Sequence, residues 1–431
     1  MSDTAIRHSR STDATDGPDD RLLIISCDGH VGPSVKNQLR NYCEEKYLAD
    51  FDEFSAELEQ SRASDTVDTD LSIPKEWSDS LVERAQMAGL QDGAARLADM
   101  DRDGIAAELL YHGGANGESM PFSTFSLATW GSPKYNHLEG VGVRIYNRWL
   151  ADYASADPDR LLGIGHITVR NIDEAVAEVY RIKEAGFKGI NLPAPRRDFT
   201  PYPDPSWDPF WAACEETGLT LCTHGGGGDI EDRITGPSQN PIFLMEYPYF
   251  GRRGLWHLIL GGVFHRFPGL KLALAEQFGD WVPDTLVEMD SAYLSPHFSA
   301  ALRAVVPERP SEYFKRHCFV GASFMSRAEA EIGQENHLFD NIMWGADYPH
   351  PEGSYPNSLL SLRRTMAGLP VETVTAYLSR TAARAYDLDT DALTAVAERV
   401  CPTYSQIMEP FSDRPEGSAT SFAFREFGHW S

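Results

Sequence analysis

The sequence places a carboxylate and an imidazole two residues apart in Asp28-Gly29-His30, directly after the apolar run 22–27. A short apolar run that ends at a glycine is typical of a β-strand, where side chains alternate between two faces. Asp28 and His30 would then point to the same side, and together they could bind a divalent metal ion. Three such residues alone are more typical of a polar surface turn, so the metal-site hypothesis depends on the rest of the chain.

Three further polar side chains, His224, Glu276 and Asp347, each end a short apolar run later in the chain. In a parallel barrel the carboxyl ends of all strands open on one face, so these residues would converge with Asp28 and His30. Two histidines and one or two carboxylates suit Zn2+ or another first-row divalent ion. This mixture of nitrogen and oxygen ligands does not choose between Zn2+, Mn2+ and Fe2+.

Eight short apolar runs, mostly separated by helical patterns, predict an α/β fold of the closed (β/α)8 type, the TIM barrel. An open doubly wound sheet is the alternative, but no Gly-x-Gly-x-x-Gly sequence follows the first run. Long insertions are expected after strands 1 and 5. The predicted strands cover 22–28, 105–111, 161–167, 187–192, 219–223, 270–275, 318–320 and 342–345.

The chain is predicted to have three parts. Residues 1–20 are polar and rich in Ser, Thr, Asp and Gly, which indicates a disordered leader. The barrel would cover 21–386, and a C-terminal extension would cover 387–431. The extension ends in several aromatic residues, including Phe422 and Trp430. We therefore expect it to pack on the barrel or on a neighbouring subunit of a homo-oligomer.

Charge and cysteine usage narrow the class of protein. The 431 residues carry a net charge of −26, which disfavours nucleic acid and anionic membranes as partners. The six cysteines form no Cys-x-x-Cys pair, as is typical of a reducing cytoplasm. No apolar run approaches the roughly 20 residues that span a bilayer. A cytoplasmic enzyme with a small-molecule substrate is expected.

Several sequence blocks, in a fixed order, carry a family resemblance. They are 25–30, 223–227, 262–268 running on to Glu276, 281–283 and 344–353. With these blocks the chain resembles the amidohydrolase superfamily, in particular the amidohydrolase-related group that contains the aminocarboxymuconate-semialdehyde decarboxylase type. The resemblance covers most of 22–386 and implies one metal ion at the mouth of a barrel.

The resemblance also assigns ligands. Asp28 and His30 match the family's strand-1 pair, His224 its strand-5 histidine and Asp347 its strand-8 aspartate. The chain departs from the family at Asp28 and Glu276, where many relatives have histidine. No lysine replaces the carboxylated lysine of two-metal relatives, so one ion is expected, Zn2+ first and Mn2+ or Fe2+ as alternatives.

The main functional hypothesis is metal-assisted hydrolysis of an amide, amidine or related bond in a small molecule or modified peptide. Metal-activated water would attack, with Asp347 as general base and Glu276 as a ligand or proton-handling group. Non-oxidative decarboxylation of an aromatic or unsaturated acid is the principal alternative. A non-catalytic metal-binding protein is the third.

Four residues are expected to surround this centre. His350 and Glu352 follow Asp347 closely and would support it from behind. Tyr348 would contribute an aromatic wall for a bulky substrate, and His166 would end the third strand and face the pocket.

Overall fold

A computed structural model describes residues 20–64, 74–123, 133–197, 199–225 and 238–430. Residues 1–19 of the predicted leader lie outside this description, as does the stretch 229–237 of the second predicted insertion. None of the described helices has the length and apolar character needed to cross a membrane.

Eight parallel strands form the centre of the molecule, each paired with the next in sequence. The backbone N–H of Asp347 donates to the Asp28 carbonyl at 3.0 Å, and that of His30 donates to the Tyr348 carbonyl at 2.6 Å. These bonds join the segment directly after β8 to β1, so the predicted (β/α)8 barrel is confirmed. The strands are β1 Ile25–Val31, β2 Ala107–His112, β3 Leu161–His166, β4 Gly189–Asn191, β5 Thr220–His224, β6 Leu272–Gln277, β7 Cys318–Ser323 and β8 Ile342–Gly345.

Helices pack around the barrel and extend beyond it. Within the described residues they are α1 Leu48–Ser64, α2 Lys75–Arg84, α3 Gly93–Asp103, α4 Glu139–Ala154, α5 Ile172–Glu184, α6 Asp208–Thr217, α7 Gln239–Leu260, α8 Val263–Arg266, α9 Val282–Leu294, α10 Ser299–Val305, α11 Pro310–His317, α12 Arg327–Glu335, α13 Ser358–Met366, α14 Val371–Thr375, α15 Thr381–Tyr386, α16 Thr390–Val400 and α17 Tyr404–Met408.

Helix α5 shows why these segments form helices. The Asn171 side chain caps its first turn by accepting from the Glu174 N–H at 3.2 Å. Residues 175, 179 and 182 recur at helical spacing and are buried. Gly186 then adopts a left-handed backbone with φ of 81°, which most other residues would adopt only at a cost.

The barrel has two apolar layers because strand side chains alternate. One layer fills the interior, where Ile25, Leu109 and Ile164 meet Tyr386 of α15. Thr220, the first residue of β5, donates to the Ala385 carbonyl of α15 at 2.6 Å, so α15 closes the interior from the end where the strands begin. The other layer packs against the surrounding helices. The polar strand ends at the opposite mouth are therefore the open part of the barrel.

The C-terminal segment 418–430 lies on the loops that follow β6, β7 and β8. The Phe422 N–H donates to the Glu352 carbonyl at 2.8 Å. The Arg425 guanidinium donates to the Phe324 carbonyl at 2.6 Å. An aromatic cluster of Phe278, Phe324 and Phe424 is buried between the segment and these loops. The segment therefore supports the mouth side of the barrel.

One buried ion pair offers a test of how tightly this segment is held. Arg425 pairs with Glu329 of α12, and the two residues are only 6% and 2% exposed. We expect Arg425→Met to lower the free energy of unfolding by about 3–5 kcal/mol, because it leaves a buried carboxylate without its cation. Urea unfolding would measure this loss. The control is Arg316→Met, which breaks the exposed pair with Glu308 and should lower the free energy of unfolding by less than about 1 kcal/mol. Equal losses in the two variants would contradict a stabilising role of the Arg425–Glu329 pair.

Candidate metal centre

A β-bulge turns the end of β1 into the barrel. The strand reaches Val31, so Asp28-Gly29-His30 lies within it, whereas the predicted strand ended at Asp28. Ser26 pairs with Glu108 but Gly29 pairs with Leu110, so β1 carries one extra residue between these points. Such a bulge changes which face the following side chains occupy. Past it, His30 is in register with Tyr111, which lines the barrel interior.

Gly29 is required by what lies against it. A Cβ at this position would come within 2.4 Å of the Glu108 carboxyl group and 2.5 Å of Arg96 Nη2. Arg96 Nε donates to Glu108 at 2.7 Å, and Nη1 donates to the His30 carbonyl at 3.1 Å. The same guanidinium stacks 3.5 Å from the centre of the Tyr348 ring. The buried Arg96–Glu108 pair thus contacts both β1 and the segment after β8 and holds them in place.

The four predicted ligands converge at the mouth. His30 Nε2 lies 3.3 Å from Asp28 Oδ1 and 3.1 Å from Asp347 Oδ1, and His224 Nε2 lies 3.3 Å from Asp28 Oδ1. Asp28, His30 and Asp347 are fully buried or nearly so. His30 Nε2 and both carboxylate oxygens of Asp347 nevertheless have no hydrogen-bond partner in the described parts of the chain. These nitrogen and oxygen atoms lie close together but do not hydrogen-bond one another. Such an arrangement is typical of a site that binds a divalent cation.

His224 is held in the orientation that a ligand needs. Its Nδ1 lies 3.0 Å from the Gly225 carbonyl, to which an N–H can donate, so Nε2 is the nitrogen available to a metal. Ser323 at the end of β7 donates to the second oxygen of Asp28 at 2.5 Å. His224 and Asp28 therefore each have a hydrogen-bond partner that fixes the orientation of the side chain.

The charges of the centre are strongly coupled. Burial raises the pKa of Asp28, but the hydrogen bond from His224 and the nearby charges of His224 and His30 outweigh it and hold the pKa well below its usual range. For His224, burial lowers the pKa, but the bond to Asp28 and the charges of Asp28 and Glu276 raise it to about 9. Without a metal, a proton on His224 therefore balances the carboxylates. A bound cation would displace it.

A second group of polar side chains adjoins the ligands. Glu276 Oε2 lies 3.3 Å from His224 Nδ1, and His350 Nδ1 lies 3.0 Å from Asp347 Oδ1. His350 Nε2 contacts the Gly113 carbonyl at 2.9 Å, so that nitrogen carries a hydrogen. Donor atoms of Glu276, Asp347, His350 and Glu352 all lie within 4.8 Å of one another. Burial, the largest influence, helps raise the pKa of Glu276 to about 8 and that of Glu352 to about 7.

Two of these carboxylates sit on strained backbone. Glu276 has φ of 50° and Asp347 has φ of 56°, in the left-handed region that costs a residue other than glycine about 1–3 kcal/mol. The pairing of β6 with β7 also shifts between Leu274 and Gln277, which flank Glu276. Strain of this kind persists only where the surrounding structure enforces it, and it is often found at functional sites.

The structure thus brings Asp28, His30, His224, Glu276 and Asp347 together, with His350 and Glu352 beside them; their individual roles stay predictions. Tyr348 and His166 are placed differently from the other candidates. Tyr348 is buried, and its hydroxyl donates to Asp99 at 2.7 Å, so it supports the centre. His166 packs instead against His112 and Tyr146.

Sequence reasoning missed the residues that support the ligands. Ser323 could have been found, because it is a polar residue at a strand end. Arg96 and Glu108 gave no such signal, since an arginine in an amphipathic helix and a glutamate in a strand are common surface residues. Only the folded chain shows that they meet beneath Gly29.

The sequence profile of the amidohydrolase family matches residues 133–388, more than half of the chain. The chain belongs to the amidohydrolase family. A curated relative of this amidohydrolase is the 2-amino-3-carboxymuconate-6-semialdehyde decarboxylase of Dictyostelium discoideum. The two are 25% identical over 266 residues, which cover 61% of this chain and 68% of the relative.

Solved structures share the fold. The 5-carboxyvanillate decarboxylase of Sphingomonas paucimobilis is 22% identical, with a TM-score of 0.58 over 85% of this chain and 100% of that one. A dihydroxybenzoic acid decarboxylase from Polaromonas sp. JS666, with bound manganese and the inhibitor 2-nitroresorcinol, is 17% identical. Its TM-score is 0.56 over 85% of this chain and 97% of that one.

The prediction that this amidohydrolase is mainly a hydrolase is wrong. The curated relative is a decarboxylase, and so are several of the similar structures, in agreement with the alternative hypothesis. The error has a physical source: the blocks at the strand ends define a metal-binding scaffold, and a scaffold serves more than one reaction. The metal itself is expected to be divalent, and manganese is the ion in three of the similar structures.

Metal removal tests the centre directly. We expect the protein as purified to carry a stoichiometric divalent ion, and exhaustive chelation to lower its melting temperature, because the ion binds only the folded state. Elemental analysis and differential scanning calorimetry would measure both effects. Added Mn2+ or Zn2+ should restore the melting temperature, whereas an ion-free protein insensitive to chelator would contradict the metal centre.

Gly29→Ala tests the support beneath the ligands. The new methyl group would displace the Arg96–Glu108 pair, so we expect a loss of about 1–3 kcal/mol in the free energy of unfolding and weaker metal retention. Urea unfolding and elemental analysis would show both. Gly279→Ala is the control, because its Cβ would meet nothing closer than 3.4 Å. Equal behaviour of the two variants would mean that Gly29 is not constrained by the pair.

Proposed function

We propose that this amidohydrolase catalyses the non-oxidative decarboxylation of a small aromatic or unsaturated acid. The similarity to decarboxylases carries the choice of reaction. The buried ligand cluster supports it, because its donor atoms suit a divalent cation that could hold an acidic substrate.

We assign Asp28, His30, His224 and Asp347 as the residues that hold one divalent ion, Mn2+ or Zn2+. When bound, the ion would supply positive charge that holds the oxygens of the substrate and stabilises the charge that develops as CO2 leaves. The ligand set favours neither ion. Elemental analysis of the native protein would identify it.

The reaction breaks one carbon–carbon bond. The electron pair stays on the substrate carbon, the carboxyl group departs as CO2, and a proton must reach that carbon. Asp347 is our candidate for this transfer, since neither of its oxygens has a hydrogen-bond partner in the described chain. Glu276, on the other side of His224, would orient the substrate. His350 and Glu352 would hold Asp347 in place.

A panel of aromatic and unsaturated acids would test the proposal with CO2 release as the readout. At least one acid should yield CO2 and its decarboxylated product in equal amounts. Cleavage of amides or esters without CO2 release from any acid would reject the proposal, and so would binding of metal without any turnover.

Asp347→Asn should lower the rate of CO2 release by on the order of 10²–10⁴-fold, because the amide cannot transfer the proton. Elemental analysis of the variant separates this effect from loss of the ion. Ser361→Ala, which removes a buried hydroxyl from helix α13 and none from the strand ends that bear the ligands, serves as a control and should keep its rate. Wild-type turnover in Asp347→Asn would reject the assigned role.

A further inference from the structure

Three aromatic side chains beside the metal centre carry buried polar atoms that lack partners. They are His112 at the end of β2, His166 at the end of β3 and Tyr146 in α4. The two Nε2 atoms and the Tyr146 hydroxyl have no hydrogen bond within the described residues. The Tyr146 ring lies 5.1 Å from each imidazole, and the imidazoles lie 6.1 Å apart, all nearly perpendicular.

Leaving these atoms unpaired is costly. A buried polar atom without a partner destabilises a protein by about 1–3 kcal/mol, and most such atoms are satisfied. The neighbours follow that rule. The Asn147 side chain bonds both the N–H and the carbonyl of His166 at 2.9 Å. Tyr153, on the same helix, donates to the Gly89 carbonyl at 2.5 Å. The His112–Tyr146–His166 cluster thus fits a bound group that completes its hydrogen bonds.

The cluster adjoins the ligands. Gly113, the residue after His112, contacts His350 Nε2 through its carbonyl at 2.9 Å. A Cβ on Gly113 would lie 3.6 Å from Nδ1 of His30. On the other side, His166 is close enough to His224 to feel its charge. A molecule held at the metal centre would therefore have this cluster within reach of a short substituent.

The cluster is suited to an uncharged group. Burial is the main influence that lowers the pKa of both His112 and His166 to about 3, so both imidazoles are neutral. A neutral imidazole offers one N–H and one acceptor nitrogen, and a phenol both donates and accepts. A hydroxyl substituent matches this mixture, because it both donates and accepts. A second carboxylate would find no cation here to balance its charge.

We propose that His112, Tyr146 and His166 bind an uncharged oxygen substituent of the substrate, a ring hydroxyl above all, while its carboxyl group lies at the metal centre. The link to the carboxyl group rests on the proposed decarboxylase function. The substrate class is then a hydroxylated aromatic acid rather than an aliphatic unsaturated one.

Equilibrium binding tests this subsite without turnover. The probes are benzoate and the three monohydroxybenzoates, titrated calorimetrically into metal-loaded protein. One hydroxybenzoate isomer should bind about tenfold more tightly than benzoate, as one buried hydrogen bond implies. In Tyr146→Phe this preference should fall to about twofold or less, with benzoate affinity unchanged.

The matched control is Tyr153→Phe. It should lower the stability of the ligand-free protein, because it breaks the bond to Gly89, and should keep the hydroxyl preference. Tyr146→Phe should not lower that stability, since its hydroxyl has no partner to lose.

Three outcomes would overturn the subsite. They are no preference for any hydroxybenzoate in the wild type, an unchanged preference in Tyr146→Phe, or a crystal structure of the hydroxybenzoate complex with only an ordered water on the cluster. Failure of the proposed function looks different, because it is an absence of CO2 release from every acid while the hydroxyl preference persists at equilibrium.

Discussion

The buried pair of Arg96 and Glu108 is the interaction on which the metal centre depends. It lies directly against Gly29, bonds the carbonyl of His30 and carries the Tyr348 ring on its face. It therefore fixes the backbone of one ligand and the segment that follows another. Two charges buried in this way stabilise little by themselves, but separating them would be very costly, so they define one geometry.

Much of the architecture could be predicted from local patterns. Apolar runs separated by helical segments gave eight strands, and polar residues at strand ends gave the ligand cluster around Asp28, His30, His224 and Asp347. The bulge in β1 could not be predicted, because it depends on pairing with β2. The same holds for the left-handed backbone of Glu276, which the neighbouring strands impose. Long-range contacts, which no short window of sequence contains, decide these features.

The choice of reaction was harder to predict than the fold for a related reason. Metal ligands must satisfy strict rules of geometry and chemistry, so they leave short motifs such as Asp28-Gly29-His30. The groups that select a substrate come from separate elements, as His112, Tyr146 and His166 do. They share no spacing in the sequence. A sequence motif therefore identifies the metal-binding site more readily than it identifies the substrate.

The two hydrogen bonds that close the barrel between β1 and the segment after β8 use the backbone N–H groups of His30 and Asp347, whose side chains are both candidate ligands. Closure of the barrel and assembly of the centre are thus one mechanical event. A cation bound by both side chains would stabilise the pairing between β1 and the segment that follows β8. The rate at which the amide protons of His30 and Asp347 exchange with solvent would therefore report whether the cation is bound, because these protons can exchange through local opening without global unfolding.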